Sequence, residues 1–130
     1  MGVTVLDTTV LIDVLRGRSV QHRLHRMREQ ADVAATSAIN VEEVVRGLRP
    51  AEHFAAARLL DGLLVIPVDR VAAQRAGAWR RDFAHRGTTL SQADCLIAAA
   101  ALAAGGRLAT GNPRHFPMSG LDIEHWPVGA

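Results

Sequence analysis

The stretch Val3–Gly17, VTVLDTTVLIDVLRG, decides how the rest of the chain is read. Its first residues, Val3 to Leu6, are apolar or β-branched and suit a short buried strand. Asp7 ends that run, two threonines follow, and a helix-length apolar stretch continues to Gly17. A strand passing directly into a helix is the first unit of an α/β layout. Asp7 stands at the junction and admits two readings. It caps the helix through its side-chain oxygen, or it is one corner of an acidic site completed by carboxylates from far along the chain. On these residues alone both remain open.

The alternation continues outward from this unit. SVQHRLHRMREQ places Val20, Leu24 and Met27 at helical spacing, with Arg and His on the other face. DVAAT is the next strand, and Ser37 stands as N-cap before AINVEEVVRGLR, which Gly47 and Pro50 end. AEHFAAARLLDGL follows as a helix and LVIPV as a strand. Asp69 caps a helix that stops at Gly87, SQADCLIAAAALAAGG is a helix apolar on nearly all sides, and RLAT is a strand. LDIEHW is a weaker last strand. Short apolar strands separated by helices predict a parallel sheet covered on both faces, a three-layer α/β/α sandwich in one domain over residues 1–130. In such sheets ligands bind beyond the carboxyl ends of the strands. Asp7 closes the first strand, and Thr110 with Asn112 closes the fourth, so both are expected at that edge.

Composition narrows the chemistry. All fifteen basic residues are Arg, none is Lys, and the net charge is +2. The absence of Lys excludes Schiff-base and P-loop chemistry and the lysine that a phosphoacceptor receiver domain needs. Guanidinium binds phosphate bidentately, so a mildly basic Arg surface is compatible with RNA, although most such surfaces are only solvated faces. Cys95 is the single cysteine, which rules out an intrachain disulfide. No apolar run approaches the roughly 18 residues of a membrane span, and the first residues lack the pattern of a signal peptide. The expectation is a protein of the reducing cytoplasm. Six histidines invite a zinc reading, but no Cys or acid spacing completes a tetrahedral set.

The remaining acids are ambiguous one at a time. Asp94 heads the most apolar helix, where an isolated carboxylate is costly unless paired, hydrogen-bonded or metal-bound. Ser91-Gln92-Ala93-Asp94 also has the form of a capping box, which satisfies that cost locally. Glu42 and Glu43 flank an apolar stripe of Val41, Val44, Val45 and Leu48, and helical phase does not choose between them. Asn112 beside Pro113 is, on its own, most often just a turn residue.

Taken together, VLDTTVLIDVL, TSAINVEEVVRG, LSQADCLIAAAAL and LATGNPRHF resemble the four motifs of the PIN domain, in order and over nearly the whole chain. The length and the position of the first motif are similar to those of the VapC toxins of bacterial type II toxin–antitoxin pairs. The resemblance implies that Asp7, Glu43 and Asp94 form a metal-site triad, with Glu43 chosen over Glu42 because it precedes Gly47 by the family's spacing. It makes Asn112 a fourth catalytic position and Thr8, Thr9 and Thr110 substrate-binding or supporting groups. An acidic pocket repels RNA, so basic residues are expected to hold the backbone beside it. Arg16, Arg46 and Arg114 lie nearest the motifs, where each reads as readily as a solvent-facing side chain. His115 departs from the pattern, standing where many relatives have an Asp. Oxygen donors without His or Cys suit Mg²⁺ or Mn²⁺. The implied activity is metal-dependent endoribonuclease cleavage, leaving 5′-phosphate and 3′-hydroxyl ends. The implied partners are an RNA substrate, a VapB-like antitoxin and a second copy in a homodimer, with no membrane. The antitoxin is expected on apolar surface carried by Leu24, Met27, Phe54, Leu59 and Leu60. The competing reading is a PIN-like protein-interaction module whose site is degraded at Asn112 and His115.

Overall fold

The computed structural model describes residues 2–129. Strands β1 (Val3–Leu6), β2 (Val33–Ser37), β3 (Leu64–Ile66), β4 (Arg107–Thr110) and β5 (Asp122–His125) form one sheet in the order β3-β2-β1-β4-β5. Every pairing is parallel, so all five carboxyl ends lie along one edge. Six helices connect them: α1 (Thr8–Leu15), α2 (Val20–Glu29), α3 (Ala38–Arg46), α4 (His53–Asp61), α5 (Arg70–His85) and α6 (Gln92–Ala103).

Alternation within the strands builds the two cores. Leu6, Ala34 and Ala109 face one side and pack with Val10, Leu11 and Val14 of α1, Val20, Leu24 and Met27 of α2, Val44 of α3 and Trp126. Val5, Ala35 and Leu108 face the other and pack with Ala76 of α5 and Cys95, Ile97, Ala98 and Ala101 of α6. The result is the α/β/α sandwich that the β/α alternation predicts, with the alanines of α6 letting that helix lie close on the sheet. No helix among the described residues is long and apolar enough to cross a membrane.

The helix starts are chemical. Asp7, Ser37, Asp69 and Ser91 each accept a backbone N–H of the first turn, which satisfies donors that the helix itself cannot. Gly17 and Gly87 end α1 and α5 at φ +67° and +83°, where a side chain would be strained.

Two expectations need correction. Val45 is not part of a buried stripe: α3 buries Asn40 and Val44, and Val45 is 52% exposed. Of the apolar set expected to form an open surface, Leu24 and Met27 are buried in the core, with Leu24 only edging a groove beside Leu59. Leu59 and Leu60 are half-buried against that core, and Phe54 is exposed. The helix turns its polar Asn40 inward because a charged partner waits there, which a hydrophobic period does not register.

Candidate active site

β1 is the central strand, so its carboxyl end lies between those of β2 and β4, and Asp7 is the residue placed there. Its backbone N–H donates to Ala109 O at 2.9 Å, and its own carbonyl accepts from Val10 and Leu11 to start α1. The carboxylate is 7% exposed. Oδ1 accepts from the Thr8 N–H at 2.9 Å and from Asn40 Nδ2 at 3.2 Å. Oδ2 accepts from Thr110 Oγ1 at 2.7 Å and, more loosely, from Thr9 Oγ1 at 3.5 Å. All of these donors are neutral, and among the described residues no Arg or His lies within 4.0 Å of the carboxylate. Burial therefore pushes the Asp7 carboxyl above its ordinary 3.8; the Thr110 and Thr8 hydrogen bonds oppose the shift, and Asp94 and Glu43 add to it by repulsion. Asp7 is thus both the cap and a cleft residue: the two readings do not compete.

The donors are themselves fixed. Thr8 Oγ1 accepts from Asn40 Nδ2 at 3.0 Å and donates to Glu43 Oε1 at 2.6 Å. Thr9 Oγ1 accepts from the Gly111 N–H and Thr110 Oγ1 from the Asn112 N–H, both at 3.0 Å. Asn40 is held by Ser37, whose N–H and Oγ donate to Asn40 Oδ1. One network thereby ties β1, α1, β2, α3 and the segment after β4 to a single carboxylate.

Around it opens a cleft of about 490 Å³ lined by Asp7, Thr8, Thr9, Glu43, Arg46, Ser91, Ala93, Asp94, Asn112 and His115. The four sequence motifs meet here. Glu43 faces the cleft, whereas the exposed Glu42 pairs with Arg46 at 3.2 Å. The Ser91–Asp94 capping box is only half formed. Ser91 Oγ accepts from the Asp94 N–H at 3.0 Å, and Asp94 Oδ2 lies instead 3.6 Å from His115 Nδ1. Of the basic residues nearest the motifs, Arg16 is paired with Glu52 and Arg46 lines the cleft; Arg114 lines a neighbouring cavity.

Two residues escaped the sequence reading. Asn40 is fully buried and orients both Asp7 and Thr8. The Ser37-x-x-Asn40 spacing, a capping box with Asn in place of Glu, was the available signal. Asp13, also buried, pairs with Arg18 on the far side of α1.

Chemically, Asp7, Glu43 and Asp94 supply hard oxygen donors around an open space in which Asp7 has no cationic partner, which fits a divalent cation of the Mg²⁺ class. Among the described residues no three His, Cys, Asp or Glu side chains stand close enough for direct common ligation. That spacing suits an ion that keeps several of its waters better than one caged by protein.

Comparisons with known proteins place the chain in a family. Residues 4–118 match the family model of the PIN domain. Ribonuclease VapC10 of Mycobacterium tuberculosis is 34% identical over 88% of this chain and 86% of its own. Ribonuclease VapC19 of the same species is 30% identical over 88% of this chain and 92% of its own. Among solved structures, DNA-bound VapBC from Salmonella typhimurium superposes with a TM-score of 0.81 at 28% identity, covering 97% of this chain and 99% of that one. The chain belongs to the PIN-domain family, as a member of the VapC type.

Proposed function

We propose that this protein is an endoribonuclease toxin that cleaves RNA phosphodiesters in the acidic cleft with the help of Mg²⁺ or Mn²⁺, and so arrests growth in the cytoplasm. One observation carries the reading: a nearly buried carboxylate, Asp7, is held by neutral donors alone while two further acids line the same cleft. A carboxylate needed only for capping has no reason to keep its charge uncompensated beside Asp94 and Glu43. Membership beside relatives named as ribonucleases supports the same conclusion.

Asp7, Asp94 and Glu43 are the groups that would hold the ion. Bound there, it supplies Lewis acidity at a phosphate oxygen and a lowered pKa for an associated water. The chain's own residues do the rest. Thr110, Asn40 and the Thr8 N–H fix which Asp7 lone pairs face the cleft, so no reorganisation is needed when charge develops. Thr8 sets the Glu43 carboxylate through a 2.6 Å hydrogen bond, leaving its second oxygen to orient a nucleophilic water. Thr9 is tied to Asp7 and Gly111, and with Thr8 it forms the floor over which RNA passes. Asn112, exposed at the rim, offers an amide in place of a further acid.

A partner of the antitoxin kind belongs to the same proposal. Between α1, α2 and α4 lies a groove of about 330 Å³ lined by Val14, Leu15, Leu24, Ala55 and Leu59 with His25 and Arg28. Such a groove holds an amphipathic helix by its apolar face. A homodimer is the further expectation, and the exposed Val45, Leu64, Val65 and Val71 offer apolar surface for it to bury.

The test is incubation of the protein with mixed cellular RNA and Mg²⁺ or Mn²⁺, with mapping of 5′-phosphate ends. Wild type should cut at recurrent positions, and Asp7→Asn and Asp94→Asn should leave the RNA intact while remaining folded by circular dichroism. Induced expression should stop growth, and co-expression of the cognate small partner should restore it. Equal cleavage by both variants, or none by wild type in either metal, would defeat the nuclease reading in favour of an interaction module.

A further inference from the structure

The acid-lined cleft poses an electrostatic problem for its own substrate, because every acid that attracts a cation also repels the RNA backbone. The cavity next to it has the opposite character. It measures about 350 Å³ and is lined by Gly111, Asn112, Pro113, Arg114, His115 and His125, without an acid. Asn112 and His115 line both spaces, so a strand leaving the acidic cleft on that side enters this one directly.

Its walls are set by the backbone. The Asn112 N–H donates to Thr110 Oγ1 at 3.0 Å, a 3₁₀ turn runs from Pro113 to His115, and the following Phe116 is buried. A Cβ on Gly111 would meet the Val128 side chain at 2.7 Å, so this part of the wall is packed against the C-terminal segment. On the opposite wall, the His125 carbonyl accepts from Arg23 Nη1 at 3.1 Å, and the Trp126 N–H donates to Thr110 O at 2.9 Å. Arg114 and His125 are exposed, and among the described residues no carboxylate lies within 4.0 Å of the Arg114 guanidinium.

We propose that this cavity is an anion subsite, in which Arg114 and His125 hold the RNA phosphate next to the one being cleaved. It rests on the ribonuclease reading above. Arg114 contributes a guanidinium whose fork matches phosphate oxygens, and His125 contributes an imidazole N–H from the other wall. His115, shared with the acidic cleft beside Asp94, marks the boundary between cation-seeking and anion-seeking surfaces.

The experiment uses the Asp7→Asn protein, so that RNA survives, and measures its affinity for a fluorescein-labelled single-stranded RNA over a range of NaCl. Adding Arg114→Ala and His125→Ala together should weaken binding about tenfold and flatten the plot of log affinity against log salt by about 0.7 per lost phosphate contact. Arg81→Ala, which removes an exposed Arg on α5 paired with Asp82, should change neither. Unchanged affinity and slope in the Arg114/His125 variant, with the parent still binding, would overturn the subsite alone. Failure of the parent to bind any RNA, together with no cleavage by wild type, would overturn the subsite with the reading beneath it.

Discussion

Helix α1 carries two buried carboxylates, Asp7 at its start and Asp13 near its end, and they are satisfied in opposite ways. Asp13 is 3% exposed; it pairs with Arg18 at 2.6 Å and also accepts from the Gly129 N–H. Asp7 is 7% exposed and is met only by hydroxyls, an amide and a backbone N–H. Hydrogen bonds settle lone pairs but do not cancel charge. Asp13 is therefore complete within the fold, pinning the C-terminal segment against α1. No cation within the fold compensates the Asp7 carboxylate, and repulsion from Asp94 and Glu43 adds to the burial that raises its pKa. Burial alone does not mark a functional acid. What separates these two is whether the protein supplies the counter-charge.

The contrast can be broken by substitution. The largest effect should fall on the neighbours that share Asp7's cleft. Glu43→Gln should lower RNA cleavage about 10- to 100-fold, the scale seen when groups that orient a metal site are altered. Glu42→Gln should stay within about twofold, since that side chain is exposed and pairs only with Arg46 in a surface ion pair of little energetic weight. Steady-state cleavage of a single defined RNA measures both. The reverse order would place Glu42, not Glu43, among the working groups.

Asp13 should respond in stability and not in chemistry. Asp13→Asn removes a charge-assisted pair and weakens the hold on Gly129, so it should cost about 1–3 kcal/mol in denaturant unfolding. Its activity per folded molecule should match wild type. A loss of activity without a loss of stability would mean that α1 carries function at both ends.

How much of this was visible in the sequence depends on whether the cause was local. The caps at Ser37, Asp69 and Ser91 and the stops at Gly17 and Gly87 were legible because each is decided within a turn of its own position. The convergence of Asp7, Glu43, Asp94 and Asn112 was also accessible. Once the sheet is parallel, residues just beyond its strands share one edge, which reaches Asp7 and Asn112. Glu43, within α3, and Asp94, in the first turn of α6, were placed there only by the resemblance to the PIN domain. Asn40 and Asp13 were not legible. Both are polar residues turned inward by partners distant in the chain: Asp7 and Thr8 for Asn40, and Gly129 for Asp13. The phase of α3 failed for the same reason, since an apolar period points to Val45 while the buried position belongs to Asn40.

A smaller effect follows from the raised pKa of Asp7. A carboxyl whose folded-state pKa lies above its unfolded value binds protons more readily in the folded protein. Its contribution to stability is fully present below the unfolded value and is lost as pH rises through the folded one. In metal-free protein, Asp7→Asn removes this dependence. The stability of the variant relative to wild type should therefore be greatest at neutral pH and should decline as pH falls through the raised value toward 3.8. Urea unfolding of both proteins at matched pH values gives the comparison, and the opposite trend would mean that the hydrogen bonds to Asp7 outweigh its burial.

The most direct measurement is thermal unfolding of wild type, Asp7→Asn and Asp13→Asn with and without Mn²⁺. A ligand bound only by the folded state stabilises it by about 2.7 kcal/mol at a hundredfold excess over Kd. Wild type and Asp13→Asn should therefore rise in Tm by similar increments, and Asp7→Asn should stay where it is without the ion. An equal rise in Asp7→Asn would contradict the assignment, because the uncompensated charge at the end of β1 would then not be what holds the metal.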